Sequence, residues 1–354
     1  MEWARHYGRI YVLNVLLNLI FYSLCLVYSA VILFTIVFHY LRKPSKYSWT
    51  VKNRARPQAL ENPHFGTHKF IQLQNVKLHY VEAGVKEKPL MIFIHGFPDF
   101  WYSWRHQIKQ FAQDYWIIAL DTRGYGDSEK PKGIQFYKLN YLIDDLKNLI
   151  DGLERKKCIL VGHDWGGVIL WLFTMRYPSM VEKYIVLNTP HPKAYRELVC
   201  SSFKQFKSSW YIFFYQMPFF PEFCLRMNDM ECFRYIFTND TKKNYILNEG
   251  ETEAYKFIFG KPGAFTFPVN YYRANFSITL PPQEIAKSLP DDFPKGLLIF
   301  GENDKLLAAR RLVEKSKEFV PNLETLLISD ACHFVHQEEP DKINTAMRHF
   351  FQAE

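Results

Sequence analysis

From Ile10 to Phe38 the chain carries no Asp, Glu, Lys or Arg. A helix over that run is about 44 Å long at 1.5 Å per residue, against a hydrocarbon core of roughly 30 Å. It predicts one membrane span over about 12–38, within an N-terminal anchor comprising residues 1–43. Trp3, Tyr11, Tyr40 and Trp49 serve as interfacial anchors, and Asn14 and Asn18 mark the shallower end. The run is too long for the apolar stretch of a signal peptide, and Tyr28 fits poorly at the −3 position of a cut after Ala30.

The pattern then changes. Residues 44–67 are polar, basic and proline-bearing, and read as a linker. Residues 68–190 alternate short apolar runs with helical periodicity. Strands are expected at Phe70–Leu73, Val76–Val81, Pro89–His95, Trp116–Asp121, Cys158–Val161 and Tyr184–Asn188. A helix is expected over Tyr137–Leu153 and another from Val168 to Tyr177, stopped by Pro178. Residues 191–290 lose this rhythm, are dense in aromatics and read as an inserted helical cap. It resumes over 291–354, with strands at Gly296–Phe300 and Glu324–Ser329 and helices at Leu306–Phe319 and Glu339–Phe351. Strand–helix alternation with continuous apolar strands implies an α/β fold, its mostly parallel sheet covered by helices on both faces. Active residues are then expected at the carboxyl ends of the strands.

The 354 residues carry a net charge of +8, with Arg42, Lys43, Lys46, Lys52, Arg54 and Arg56 directly after the span. That placement points to a membrane surface rather than nucleic acid, and no zinc-finger, Walker or dinucleotide fingerprint is present. It also predicts, by the positive-inside rule, a cytosolic catalytic domain. Two sequons, Asn239-Asp240-Thr241 and Asn275-Phe276-Ser277, weigh the other way. The six cysteines have no metal-ligand spacing and read as reduced, which suits a cytosolic face.

The chemistry concentrates at Gly162-His-Asp-Trp-Gly166, between the Cys158–Val161 strand and the Val168 helix. A strand–turn–helix of the form G-x-nucleophile-x-G lifts its middle side chain out of the backbone. Here that side chain is Asp164, and a carboxylate attacks carbon to leave an ester on the enzyme. The alternative is a glycine-flanked turn with a capping aspartate. Asp304 and His333, each just past a late strand, stand in the chain order nucleophile, acid, histidine. Glu302 competes as the acid and His336 as the base; Asp304 as a helix cap and His333 as a surface residue also remain open. The backbone N–H of Trp165, and one from His95-Gly96-Phe97-Pro98, are candidates for an oxyanion hole.

With these residues the chain resembles the epoxide hydrolases of the α/β-hydrolase superfamily, over about 70–351. The resemblance rests on His95-Gly-Phe-Pro-Asp-Phe-Trp101, Asp121-Thr-Arg-Gly-Tyr-Gly126, Gly162-His-Asp-Trp-Gly-Gly167, Asn188-Thr-Pro-His-Pro192, Gly301-Glu-Asn-Asp304 and Cys332-His333. The anchor and Ser208-Ser-Trp-Tyr211 are similar to the membrane-anchored 3 and 4 branch of that family. The resemblance implies an α/β-hydrolase fold, a hydrolase acting on ether bonds, no metal or organic cofactor, and a single-pass protein of the endoplasmic reticulum or microsomal membrane. It implies Asp164 as nucleophile, His333 as base, Asp304 as its orienting acid, and Phe97 and Trp165 as oxyanion-hole donors. It places proton donors to the epoxide oxygen at Tyr211 and Tyr272, with Tyr215 and Tyr271 as near competitors. Many relatives carry glutamate where this chain has Asp99, a difference expected to leave catalysis unaffected. The expected substrate is a small apolar epoxide, with lipid epoxides plausible, and no nucleic acid partner is expected. A haloalkane dehalogenase would share the aspartate and histidine, but Phe97 stands where many of those enzymes place asparagine. A catalytically silent membrane scaffold is the remaining reading.

Overall fold

The computed structural model describes residues 2–276, 289–290, 292–320 and 322–352. Residue 291, where the second core segment is expected to begin, lies outside them, as does Ser277 of the second sequon.

In chain order, α1 (Glu2–Arg42) precedes β1 (Thr67–Gln72), β2 (Lys77–Ala83), β3 (Leu90–Ile94), α2 (Arg105–Phe111), β4 (Trp116–Leu120), α3 (Leu139–Gly152), β5 (Cys158–His163), α4 (Trp165–Arg176) and β6 (Val181–Leu187). The cap follows as α5 (Pro192–Ser201), α6 (Phe203–Ser208), α7 (Trp210–Phe214), α8 (Phe220–Met230), α9 (Cys232–Ile236), a hairpin of β7 (Thr238–Asn239) and β8 (Asn244–Tyr245), α10 (Glu249–Gly260) and α11 (Thr266–Asn275). The chain closes with β9 (Lys295–Gly301), α12 (Ala309–Phe319), β10 (Leu323–Ile328), α13 (Val335–Glu338) and α14 (Pro340–Gln352).

Eight strands form one sheet in the order β1-β2-β4-β3-β5-β6-β9-β10. Pairing is antiparallel for β1–β2 and β2–β4, and parallel across the rest. Strands β3, β4 and β5 are buried at every position, as their unbroken apolar runs require under helices on both faces. Several elements start earlier than their apolar pattern. β6 begins at Val181, because Glu182 and Lys183 reach outward at the strand's amino end. α4 begins at Trp165, immediately after Asp164, since the two glycines let the helix start without a spacer.

The 44–67 segment is more than a linker. It makes short 3-10 turns, buries Leu60 and Phe65, and is tied to the cap. The Ser48 N–H donates to Asn228 Oδ1 (2.8 Å) and the Lys52 N–H to Asp229 Oδ1 (2.9 Å). Arg54 pairs with Asp229 and, at 2.7 Å, with Glu253. Its basic residues, read above as membrane-facing charge, are thus partly spent on ion pairs.

The cap is fastened to the sheet domain at several points. The Tyr271 hydroxyl donates to the Arg123 carbonyl (2.7 Å). Asn275 accepts from the Leu139 N–H and donates to the Tyr137 carbonyl, both at 2.8 Å. Lys261 meets Asp127 at 2.7 Å, and the Tyr255 hydroxyl donates to Asp99. Both sequon asparagines are structural here. Asn239 is buried, its Nδ2 donating to the Asp330 carbonyl (2.9 Å) and Glu338 Oε2 (2.5 Å). A glycan on either would break these bonds. All six cysteines are free thiols.

Candidate active site

Asp164 sits at φ 48° and ψ −119°, between β5 and α4. A non-glycine residue in that region is strained and persists only when its surroundings hold it. Two glycines show how tightly they do. A Cβ on Gly96 would lie 2.3 Å from the Asp164 Cβ, and one on Gly166 would lie 2.0 Å from the Ile94 carbonyl oxygen. The β3 and β5 turns therefore interlock, which presses the 96–97 backbone against the carboxylate. The Phe97 N–H donates to Asp164 Oδ1 at 2.8 Å. Trp165 is the first residue of α4, so its N–H has no intrahelical acceptor and is free for the same oxygen.

His95 fixes that loop. Its Nδ1 donates to the Gly96 carbonyl (2.9 Å) and its Nε2 accepts from the Thr122 N–H (3.2 Å). Those bonds fit a neutral ring, and burial lowers its pKa.

The other Asp164 oxygen faces His333. His333 Nε2 lies 3.7 Å from Asp164 Oδ2, and its Nδ1 donates to Asp304 Oδ2 at 2.8 Å. Burial alone would push the His333 imidazolium down. Asp304 and Asp164 outweigh it and hold its pKa up to about 10. Burial would likewise raise the Asp164 carboxyl, but the hydrogen bond and charge of His333 bring it below the usual carboxylate range. Asp304 is itself held from three sides. Its Oδ1 accepts from the Leu306 and Leu307 N–H groups (2.8 and 3.1 Å), and its Oδ2 accepts from Asn188 Nδ2 (2.8 Å).

The competitors separate by geometry. Glu302 turns to Arg310 at 2.6 Å. His336 is fully buried against Trp104, at 4.4 Å between centroids, and burial drives its pKa well down. Its three-residue spacing from His333 places it behind the site. Tyr271 spends its hydroxyl on Arg123, so its neighbour Tyr272 faces the cleft. There Tyr272 packs edge-on to Trp165 (5.0 Å) and Phe97 (5.7 Å) and against Tyr211 (5.9 Å). Burial holds the hydroxyls of Tyr211 and Tyr272 well above the ordinary value, so both stay protonated. Tyr215 completes the wall, with its ring 4.8 Å from Tyr272 and 5.4 Å from Phe97.

Two residues of the site carry roles that the motifs do not reveal. Asn188, just past β6 and at φ 45°, also donates to the Cys332 carbonyl (3.0 Å) and accepts from the Gly301 N–H (3.2 Å). It ties the Asp304 loop to the His333 loop. The available signal was a lone asparagine at a strand's carboxyl end, where left-handed backbone is tolerated. His163 donates from Nε2 to the His333 carbonyl at 2.9 Å, with its pKa pushed down to about 3 by burial. Asp99, His163 and His336 bring donor atoms within 4.8 Å of one another. Asp99 is already engaged by Tyr255 and Gln337, and burial lifts its pKa to about 7. This aspartate fastens the cap rather than facing the cleft.

Asn188→Ala is expected to slow turnover about tenfold, less than the roughly 10²-fold or more that outright loss of a general base costs. Restoration by Asn188→Asp is not expected, because a second carboxylate would repel Asp304. Steady-state kcat for the two variants checks this.

Comparison with known proteins gives a consistent result. Residues 89–340 match the family model described as alpha/beta hydrolase fold. Human epoxide hydrolase 4 is 40% identical over 305 residues, covering 84% of this chain and 82% of its own. Epoxide hydrolase 1 of Caenorhabditis elegans is 38% identical over 303 residues, covering 84% and 73%. Among solved structures, a Bacillus megaterium epoxide hydrolase in complex with an inhibitor superposes with a TM-score of 0.72 at 31% identity, covering 80% of this chain and 100% of that one.

Proposed function

The chain belongs to the α/β-hydrolase fold family and, within it, to the epoxide hydrolases, and we propose that it converts an apolar epoxide and water to a vicinal diol through an ester on Asp164. The observation that carries this reading is the line Asp304–His333–Asp164 lying beside two phenols, Tyr272 buried and Tyr211 partly buried.

Tyr211 and Tyr272 hold the epoxide oxygen. Asp164 Oδ2 attacks a ring carbon, the carbon–oxygen bond breaks, and the departing alkoxide takes a phenolic proton. Ester formation removes the Asp164 charge that helped hold the His333 proton. That proton returns to the phenolate and leaves a neutral imidazole. His333 then takes a proton from water, and the hydroxide adds to the Asp164 carboxyl carbon. The oxyanion develops on Oδ1, where the Phe97 and Trp165 N–H groups stabilise it. Collapse expels the second alkoxide, which takes the proton of the new carboxyl group. The diol leaves, and carboxylate and imidazolium are restored.

Phe97, Trp165, Tyr215 and Phe276 make the walls aromatic, which favours an apolar substrate such as a lipid epoxide. α1 serves as a single-pass anchor in the endoplasmic reticulum membrane. The basic residues after it and the six free thiols favour a cytosolic catalytic domain.

A single turnover in ¹⁸O-water tests the route. The diol should carry an unlabelled oxygen from Asp164, and the label should appear in the enzyme. A labelled diol on the first turnover would remove the ester. Halide release from haloalkanes would point to a dehalogenase instead, and folded but silent protein to a scaffold.

The two half-reactions should differ in pH dependence. Alkylation needs the Asp164 anion and is expected to be flat over neutral pH and to fall in acid. Hydrolysis needs neutral His333, so its rate should rise with pH until that proton is lost. Stopped-flow tryptophan fluorescence resolves the two phases. A hydrolysis phase that slows as pH rises would contradict the assignment of His333.

A further inference from the structure

α1 does not stand apart from the catalytic domain. Phe21 and Cys25 are buried against Phe213 of α7, with Leu24, Tyr28, Phe206 and Met217 packed around them. The Phe213 ring lies 5.4 Å from Phe21 and stacks on Tyr28 at 5.8 Å. Further along, Trp49 stacks on Phe223 of α8 at 5.4 Å. The strap through Ser48, Lys52 and Arg54 clamps the same side of the cap.

The position of this seam on α1 matters. The apolar run extends in both directions from Cys25, about 20 Å at 1.5 Å per residue to either end of the 12–38 span. Its remaining faces are exposed and apolar, including Leu19, Leu26, Val31 and Phe34 at 50% or more. No stretch of the helix can cross a hydrocarbon layer of roughly 30 Å while leaving the seam in water.

The cap surface beside the seam agrees. Phe203 is 81% and Phe219 84% exposed, and Trp210 is 40% exposed. Phe203 shares a face of α6 with Phe206, and Trp210 shares a face of α7 with Phe213, each at i, i+3. Both partners belong to the seam. Lys204 and Lys207 stand exposed among these aromatics, the mixture that seats a surface at a lipid interface.

We infer that the α6–α8 face of the cap is itself immersed in the bilayer, in contact with lipid acyl chains, so that the protein is seated by its cap as well as by its N-terminal helix. This rests on α1 being a membrane anchor. One helix, α7, then separates lipid from site. Trp210 faces outward and Phe213 faces α1, while Tyr211 and Tyr215 pack with Tyr272 on the cleft side. The site then lies one helix away from the lipid in which an apolar epoxide dissolves.

The test uses full-length protein carrying Cys200→Ser, reconstituted in phosphatidylcholine vesicles. A fluorophore is placed at Phe219→Cys, at Val27→Cys on α1, and at Glu87→Cys before the amino end of β3, opposite the cap. Chain-brominated lipid and aqueous iodide serve as quenchers. The expected result is that brominated lipid quenches the Phe219 and Val27 probes several-fold more than iodide does, and that Glu87 shows the reverse. Iodide quenching at Phe219 with lipid quenching at Val27 would overturn the inference and leave the anchor standing. Iodide quenching at both would overturn the anchor as well. Protection of Phe219 from both quenchers would mean that a second copy covers the face, which also overturns it.

Discussion

Protein carrying His333→Gln, mixed with excess epoxide, is expected to consume one equivalent and stop. Intact mass should rise by the mass of the epoxide, and a peptide containing Asp164 should carry it. The reasoning is electrostatic and geometric. Alkylation needs an ionised Asp164 and a donor to the epoxide oxygen, and Gln removes neither. Hydrolysis needs a base beside the carboxyl carbon, and Gln has none. Loss of a positioned base costs about 10²- to 10⁴-fold in the step it serves. Normal turnover by this variant would exclude His333 as the base. The same substitution also removes the cation 3.7 Å from Oδ2. The carboxyl should then titrate higher, and alkylation should begin to fail at a higher pH than in the parent.

The second large effect is on the paired phenols. Tyr211→Phe with Tyr272→Phe is expected to lower the alkylation rate by about 10²- to 10⁴-fold, since the leaving oxygen must then depart as a bare alkoxide. Each single variant should lose less, because the remaining phenol still donates. Hydrolysis of an ester already formed should be little changed, which separates loss of the donors from collapse of the site. Equal losses in both phases would instead indicate general damage. Tyr271→Phe serves as the comparison. It breaks a bond to Arg123 and should affect stability more than rate.

Much of this site is legible in the chain because its residues sit where local pattern marks them. Asp164 lies between an apolar strand and a helix, with glycines on both sides. Asp304 and His333 follow the last two strands of the sheet. The competitors Glu302, His336 and Tyr271 could be set aside only in three dimensions. Each lies within two or three residues of the group it rivals, and a change of face decides between them. Asn188 was hidden for a related reason, since its importance lies in joining two loops more than a hundred residues away. The 44–67 segment misled because its polar, proline-bearing composition matches a linker. Arg54 and two backbone amides are instead matched to acidic and amide side chains of the cap, and Arg56 to Glu61 and Asp127. No local pattern reports such long-range pairing. For the same reason the apolar run of α1 predicts a span but not the Phe213 seam.

The rivets between cap and sheet domain also bear on how substrate is chosen. Tyr271, Asn275, Lys261 and Tyr255 fasten the roof at separate points, and the strap holds it from outside. A roof fixed at so many points is expected to move little when cargo binds. Selection by such a roof is expected to work as a sieve, with kcat/KM falling as bulk is added beside the oxirane of the proposed substrate.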